Sequence, residues 1–241
     1  MHETLPSTAD LIRARAGAGE AAGLAVLALR QTQGRGSRGR EWVAPEGNLN
    51  LSILLRPAIP AAQAGRFALL AGVAVAETVD EFLPGPSHAR LKWPNDVLLD
   101  GAKLAGILID AAIGGAKETG AAIDWLAIGM GANLAAAPEI PGRPTVALSR
   151  HTVPPSPEKF ASSLLAHLAD WLERDDQGGA ALIEAWRARA HLHGETLRIA
   201  LGADIVTGAY DGITPDGNLL LRTEGGPRSL ATGEILLGTG A

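Results

Sequence analysis

The chain of 241 residues carries a formal net charge of −5 and contains no cysteine, which excludes disulfides, thiolate chemistry and Cys-ligated metal sites. Its length predicts a main domain with a smaller one, and its 46% of apolar residues can fill a buried core. The acidic balance argues against a general phosphate-backbone binder, and neither a signal peptide nor an 18-residue apolar span is visible, so we expect a cytoplasmic protein with no nucleic-acid or membrane partner.

The first part of the chain alternates between helical and extended patterns. Residues 7–19 open with helix-capping residues and predict a helix. Apolar runs predict strands at 23–31 and 48–57, and the second of these alternates polar and apolar residues at its start. Helical spacing of apolar residues predicts a long helix at 62–83.

The central part contains strands followed by helices. Residues 89–113 predict a strand, a turn, a strand, a hairpin and a strand, because Asp100-Gly101 is a strong two-residue hairpin signal. Another apolar strand is expected at 124–135. After a Pro-rich loop, helices are expected near 157–175 and 179–191, with tryptophans on their inner faces.

From Gly194 the sequence changes to short alternating segments broken by glycine-rich turns. This rhythm predicts a small β-barrel of about five strands. We therefore expect two domains, at 1–192 and 193–241.

Residues 31–43, QTQGRGSRGREWV, concentrate glycine and arginine in an acidic protein. Three interpretations are open for this segment: a nucleic-acid patch, a solvated turn, or a loop that wraps a small anionic ligand. Glycines let the backbone approach a ligand closely, and guanidinium groups bind phosphate or carboxylate with two parallel donors. The segment is not a P-loop, because no GxxxxGK[ST] is present.

Three further segments carry polar residues near strand ends. LKWPNDVLL sets Asn95 and Asp96 in a turn. KLAGILID places Lys103 after a hairpin and Gly106 inside a strand, and GMGANL ends a strand at Asn133. Each has an ordinary structural explanation: a good turn, an edge-strand lysine and a plain loop asparagine. A glycine inside a strand, however, also indicates close approach of a ligand or another backbone.

Taken in this order, GRGSRGR, KWPND, KLAGIL, a Gly-Asn turn and a small β-barrel resemble the bacterial biotin protein ligases, from Ser7 to Glu234. The resemblance implies an α+β fold: a mixed β-sheet with flanking helices, of the class II synthetase-like biotin/lipoate ligase type, followed by a small SH3-like β-barrel. The form it implies has no N-terminal DNA-binding domain, because few residues precede Ser7, and hence no repressor role.

The resemblance also implies the chemistry. Such a ligase activates biotin with ATP to biotinyl-5′-AMP, releasing pyrophosphate, and passes biotin to one lysine of a carrier protein, releasing AMP. The expected carrier is the biotin carboxyl carrier subunit of acetyl-CoA carboxylase. Mg²⁺ is implied by the ATP chemistry and not by any ligand cluster in the sequence, and a homodimer is a possible assembly.

The resemblance assigns roles to individual residues by their place in the family pattern. Catalytic roles are implied for Lys103, Arg35, Asp96 and Asn95. Biotin contacts are implied for Ser7, Thr8, Gln31, Gly34, Arg35, Lys103 and Gly106. Nucleotide contacts are implied for Arg35, Arg38, Arg40, Trp42, Asn95, Lys103, Asn133 and Glu234.

Two positions depart from the family pattern. Ser37 stands where a third arginine is frequent, which could loosen the hold on the adenylate, and Ala9 stands where an asparagine is frequent. Two alternatives stay open at this point. One is a lipoate or octanoate ligase, although those resemble a different arginine-glycine loop and lack KWPND; the other is a non-catalytic paralogue that binds biotin and signals by association.

Overall fold

The computed structural model describes residues 1–85, 88–117, 120–175 and 179–236, which form two β-sheets and four α-helices. The elements are β1 (His2–Leu5), α1 (Thr8–Gly17), β2 (Ala25–Gln31), β3 (Leu49–Leu55), α2 (Arg66–Phe82), β4 (Arg90–Lys92), β5 (Asp96–Leu99), β6 (Ala102–Lys117), β7 (Gly120–Ala132), α3 (Pro157–Asp175), α4 (Ala180–Arg189), β8 (Thr196–Leu201), β9 (Asp204–Ile213), β10 (Leu219–Thr223), β11 (Gly226–Leu230) and β12 (Glu234–Ile235).

The first sheet is mixed and has seven strands in the order β1-β2-β3-β7-β6-β5-β4. Only the pair β1–β2 is parallel; all other neighbours run antiparallel. The strands expected between residues 23 and 135 are confirmed. The alternative explanation of Lys103 as an edge-strand lysine does not hold, because β6 lies between β5 and β7. β1 was not predicted: its four residues are mostly exposed and lack apolar alternation, and pairing with β2 alone makes it a strand.

Helix α2 lies in the centre of the main core. Twelve of its 17 residues are buried, because α3 and α4 cover the side that does not face the sheet. Trp171 and Trp186 on the covering helices are buried as expected, and Trp125 packs in a smaller core with Ile12 of α1 on the other face of the sheet. Helix α1 begins at Ser7, whose hydroxyl accepts the N–H of Asp10 at 3.4 Å.

The C-terminal strands form a second sheet of five antiparallel strands in the order β11-β10-β9-β8-β12. The expected strand count is confirmed. The order is open, and no pairing between β11 and β12 closes it into a barrel within the part of the chain that the structure describes. The predicted domain boundary at 192/193 falls in the connection between α4 and β8.

The second sheet packs against the turn of the KWPND segment. The indole N–H of Trp93, which is 2% exposed, donates to the carbonyl of Gly217 at 2.9 Å. A Cβ added at Gly233 would lie 2.6 Å from Ile199 and 3.1 Å from Trp93, so this position needs glycine. This packing brings Glu234 to the edge of the first sheet.

Among the described helices, none combines the length and apolar character that a membrane crossing requires.

Candidate active site

The residues singled out from the sequence converge on one region of the first sheet. The glycine-arginine loop (residues 32–43), below called the basic loop, follows the end of β2. Lys103 lies near the start of β6, and Asn133 follows the end of β7. Among the cavities in this region are three of about 40, 170 and 370 Å³. Lys103 and Trp42 line both the smallest and the largest of them.

The 40 Å³ cavity, here called the polar cavity, has hydrogen-bonding walls. Gln31 Oε1 accepts from the backbone N–H of Thr8 at 2.7 Å and from its hydroxyl at 3.0 Å. The Thr8 hydroxyl also lies 2.8 Å from that of Ser52, and Gln31 Nε2 donates to Asn50 Oδ1 at 3.1 Å. The predicted residues at its walls are Ser7, Thr8, Gln31, Arg35, Trp42, Asn95, Lys103 and Gly106.

Sequence reasoning missed Asn50 and Ser52, which line this cavity from β3. A signal was present: NLNLS places polar residues at alternate positions of a strand whose residues are all buried or nearly so. Ala9 also lines the cavity, so the departure at this position removes a polar group from the wall itself.

Gly34 lies outside the lining of the polar cavity and has a structural role. A Cβ added there would stand 2.3 Å from the carbonyl oxygen of Trp42, and the carbonyl of Gly34 accepts the N–H of Trp42 at 2.9 Å. Glycine at this position therefore allows the two ends of the basic loop to meet. Its contact with biotin stays a prediction.

Charged side chains of the KWPND turn lie next to Lys103. Lys103 forms a close ion pair with Asp96, whose second oxygen lies 3.6 Å from Lys92 Nζ. Burial lowers the pKa of Lys92 below its ordinary value, against the opposing effects of Asp96 and Glu234. Lys92 was not among the predicted site residues. Asn95 is fixed to β6, because its side-chain N–H donates to the carbonyl of Ile107 at 2.6 Å.

Trp42 packs against two glycines of the sheet. A Cβ at Gly131 would stand 2.4 Å from its ring, and one at Gly106 would stand 3.4 Å from the ring and 3.1 Å from Lys103 Nζ. The close approach expected at Gly106 is therefore made by Trp42 and Lys103. Lys103 Nζ lies 5.7 Å from the centre of the indole. The Trp42 Nε1 is buried with no partner among the described residues.

The 370 Å³ cavity, here called the large cavity, opens on the other side of Trp42. Its wall includes Asn133, whose side-chain N–H groups donate to the carbonyls of Lys103 at 3.4 Å and Val146 at 3.3 Å. Asn133 Oδ1 is buried and has no partner within the described ranges. Buried polar atoms are normally paired, so an unpaired donor on Trp42 and an unpaired acceptor on Asn133 indicate a polar ligand.

Three arginines meet at one carboxylate. Glu234 of the second sheet accepts hydrogen bonds from Arg38 at 3.1 Å and from Arg40 at 3.2 Å, and it forms an ion pair with Arg143 at 3.0 Å. Burial of Glu234 by itself raises its pKa, but the hydrogen bond from Arg40 and the charges of all three arginines outweigh it, so its pKa lies below the ordinary value. Arg143 was not predicted; it follows a loop with no recognisable motif.

Arg35 and Ser37, the other polar residues of this part of the basic loop, make contacts of their own. Arg35 is paired with Asp10 of α1 at 3.0 Å and not with Glu234. Ser37 accepts from Arg40 twice, at its hydroxyl over 3.1 Å and at its carbonyl over 3.3 Å. The departure at Ser37 thus removes a guanidinium group and adds a hydrogen-bond acceptor that orients Arg40.

The arrangement suits a small acid beside a phosphorylated nucleotide. A buried hydrogen-bonding cavity, a lysine at its mouth and an arginine cluster next to a larger cavity provide binding and charge stabilisation without a protein nucleophile. No group of three His, Cys, Asp or Glu residues positioned for a metal ion is present among the described residues.

Two family profiles match the chain. The biotin/lipoate A/B protein ligase family matches residues 5–125, and the biotin protein ligase C-terminal domain matches residues 192–238. The chain is 36% identical over 222 residues to the biotin–[acetyl-CoA-carboxylase] ligase of Paracoccus denitrificans, which covers 88% of this chain and 90% of that relative.

Solved structures agree with these matches. The biotin protein ligase from Aquifex aeolicus in complex with biotin and ATP has a TM-score of 0.79 and 26% identity, over 98% of this chain and 96% of that one. The biotin protein ligase from Leishmania major in complex with biotinyl-5-AMP has a TM-score of 0.64 and 26% identity, over 98% of this chain and 97% of that one. The similarity thus extends across both sheets.

Proposed function

Since this chain belongs to the biotin/lipoate A/B protein ligase family, we infer that it is a biotin protein ligase, which activates biotin with ATP and transfers it to a lysine of a biotin carrier protein. The observation that carries this function is the position of Lys103. Its side chain lines the polar cavity and the large cavity at once. A single cation is therefore available to the carboxylate of one substrate and the α-phosphate of the other.

The polar cavity is the proposed biotin site. The ureido ring of biotin has two N–H donors and one carbonyl acceptor, and Thr8, Gln31 and Ser52 offer matching partners at the cavity wall. At about 40 Å³ the cavity is smaller than ordinary ligand sites. Binding of biotin therefore requires this cavity to widen.

The large cavity is the proposed nucleotide site. Trp42 gives an aromatic wall, and the unpaired Asn133 Oδ1 and Trp42 Nε1 are available to the base and the ribose. Arg40 lines it and Arg38 lines the 170 Å³ cavity, where both are available to the phosphates, and Arg35 lines the polar cavity, nearer the biotin carboxylate. These assignments, with those of Asn95 and Glu234, rest on the contacts described above.

In the first step a carboxylate oxygen of biotin attacks the α-phosphorus of ATP, the bond to the β-phosphate breaks and pyrophosphate leaves. Lys103 reduces the repulsion between the two anions, and the arginines stabilise the charge that develops on the phosphates. In the second step the amine of the carrier lysine attacks the acyl carbon and AMP leaves. Asp96, whose side chain is 18% exposed beside Lys103, orients the incoming amine.

Mg²⁺ is proposed as the companion of ATP. The ion commonly binds through one or two carboxylates together with substrate phosphates, and Asp96 fits that role as a single carboxylate at the wall of the 170 Å³ cavity. When bound, Mg²⁺ would neutralise part of the phosphate charge.

Other proposals concern context. The carrier subunit of acetyl-CoA carboxylase is supported as the partner by the name of the Paracoccus ligase. Use of ATP supports a cytoplasmic location. The outer strand β1, with one edge unpaired in the described sheet, supports a homodimer through strand pairing. The connection before β8 supports a domain boundary at 192/193.

The function is tested by transfer of biotin to a carrier domain with ATP and Mg²⁺, for the wild type, Lys103→Ala and the control Lys159→Ala. Lys159 lies on α3 over Phe82, away from the cavities. We expect Lys103→Ala to lower the rate by roughly a hundredfold or more, as loss of one preorganised charge donor does elsewhere, with Lys159→Ala unchanged. Biotin binding without any transfer by the folded wild type would instead indicate the non-catalytic paralogue.

A further inference from the structure

Arg143 is the one member of the arginine cluster that does not come from the basic loop. It lies in the connection between β7 and α3, and its side chain is 47% exposed at the wall of the large cavity. Arg38 and Arg40 reach Glu234 from the basic loop, and Arg35 is held by Asp10. The connection therefore supplies the third guanidinium group of the cluster at Glu234, of which the basic loop supplies two.

The backbone around Arg143 is fastened to the strand that carries Lys103. The N–H of Lys103 donates to the carbonyl of Pro144 at 2.8 Å, and the N–H of Val146 donates to the carbonyl of Lys103 at 3.0 Å. The Thr145 hydroxyl donates to the carbonyl of Pro138 at 2.6 Å. Arg143 is thus adjacent to a segment held in fixed register beside Lys103, which restricts where its guanidinium can point.

The region carries more positive than negative charge. Ion pairs join Glu234 to Arg38, Arg40 and Arg143, and Asp96 to Lys92 and Lys103. The exposed Glu41, at the wall of the large cavity, adds a third carboxylate. The region therefore contains five cations and three carboxylates. The surplus of two positive charges stands in a protein whose formal net charge is −5. Such a local surplus favours a polyanion.

We propose that Arg143 binds the phosphates of ATP and takes over the part of the arginine that is replaced by Ser37 in the loop. Arg38, Arg40 and Arg143 all reach Glu234. Phosphate oxygens accept from the same forked donors as carboxylate oxygens, so we expect the phosphates of ATP to bind where the three arginines meet. When ATP binds, phosphate oxygens replace the Glu234 carboxylate as the acceptor for Arg143. This inference rests on the proposed function and adds to it a nucleotide-binding residue outside the basic loop.

A purely structural role is the competing explanation, in which Arg143 only holds Glu234 and so keeps the second sheet in place. The two roles differ when Glu234 is changed. If Arg143 acts only through Glu234, removing its charge has no further effect once Glu234 is glutamine. If Arg143 contacts ATP, removing its charge has the same effect in both backgrounds.

The experiment is biotin-dependent ATP–pyrophosphate exchange with Arg143→Gln, Glu234→Gln, the double variant and the control Arg150→Gln. Arg150 is an exposed arginine further along the same connection. We expect Arg143→Gln to raise the KM for ATP about tenfold, as loss of a charge-assisted hydrogen bond does, in both the wild-type and the Glu234→Gln backgrounds. The KM for biotin and the exchange of Arg150→Gln should not change.

Several results would overturn the proposal. A KM for ATP within about twofold of the wild type, or an effect that disappears in the Glu234→Gln background, leaves Arg143 a structural residue while the ligase function stands. If circular dichroism shows that Arg143→Gln does not fold, Arg143→Lys takes its place: a smaller rise is expected because the planar fork is lost, and an unchanged KM contradicts the proposal. Absence of exchange in the wild type removes the function and this inference together.

Discussion

At the scale of single residues, two glycines decide where Trp42 can lie. Gly106 and Gly131 face the same cavity from neighbouring strands, and the indole rests against both. Any side chain at Gly131 would occupy the place of the ring. The same contact sets the ring beside Lys103 Nζ, so the two proposed nucleotide contacts are positioned together.

Gly131→Ala tests this arrangement. The new Cβ would stand 2.4 Å from the indole, so Trp42 must move away. We expect the KM for ATP to rise about tenfold and the free energy of unfolding to fall by about 1–3 kcal/mol, the usual cost of overpacking. Gly114→Ala is the matched control on β6, because its nearest neighbour would be an ordinary 3.5 Å away. Kinetics and thermal unfolding measure both effects; unchanged ATP kinetics in Gly131→Ala would remove the assignment of Trp42 to the nucleotide.

At the scale of elements, the connection after β7 carries Asn133 and Arg143 of the proposed nucleotide site, and one buried side chain holds this connection in place. Asn48 Oδ1 accepts from the backbone N–H groups of Leu134, Ala135 and Ala136 at 3.0, 2.9 and 3.2 Å. Its Nδ2 donates to the carbonyl of Ala136 at 2.7 Å. Asn48 is fully buried, so water cannot replace these bonds without rearrangement.

Asn48→Ala should therefore loosen this connection. We expect the free energy of unfolding to fall by about 3 kcal/mol, because four backbone groups lose their partner, and the KM for ATP to rise with it. Asn48→Asp is the matched comparison: it keeps an acceptor for three N–H groups and, as the protonated acid, an O–H donor for the carbonyl of Ala136, and should destabilise less. Chemical denaturation measures the difference, and equal losses in both variants would contradict the role given to Oδ1.

At the scale of the whole molecule, the second sheet contributes to the site of the first. Trp93 of the KWPND turn is buried against Gly217, and Glu234 reaches across to Arg38 and Arg40. The sheet thus closes one side of the arginine cluster. Loss of the Glu234 charge should weaken both the packing of the two sheets and the order of the basic loop.

This coupling has a pH signature. The pKa of Glu234 is lower in the folded protein than in the unfolded chain, where it is about 4.3. Its carboxylate therefore adds stability that is fully present above the unfolded value and is lost as the pH falls through the folded value. We expect the difference in unfolding free energy between the wild type and Glu234→Gln to be constant above about pH 5 and to shrink as the pH falls below the unfolded pKa.

Denaturation series at several pH values measure this difference, with Glu139→Gln as the control. Glu139 is an exposed carboxylate in the connection after β7. A difference for Glu234→Gln that does not change with pH, or an equal change for Glu139→Gln, would show that the ion pairs of Glu234 do not stabilise the fold.

Local signals in the sequence were enough for most of the fold and for the family. Capping residues, apolar periodicity and the Asp-Gly hairpin lie within a few residues of the structure that they specify, so helices α1 to α4 and strands β2 to β7 could be predicted. Strand β1 could not, because only its pairing with β2 defines it.

The residues of the site divide in the same way. GRGSRGR, KWPND and KLAGIL are contiguous motifs, and the sequence by itself determined their place in the site. Only the tertiary structure decided that Lys103 lies on an interior strand of the sheet and that Asn50 and Ser52 line the polar cavity. It alone also decided that Arg143 meets the loop arginines at Glu234. The physical reason is distance along the chain: Arg40 and Glu234 are 194 residues apart, and no periodicity or local propensity records a contact that exists only once the two sheets have packed.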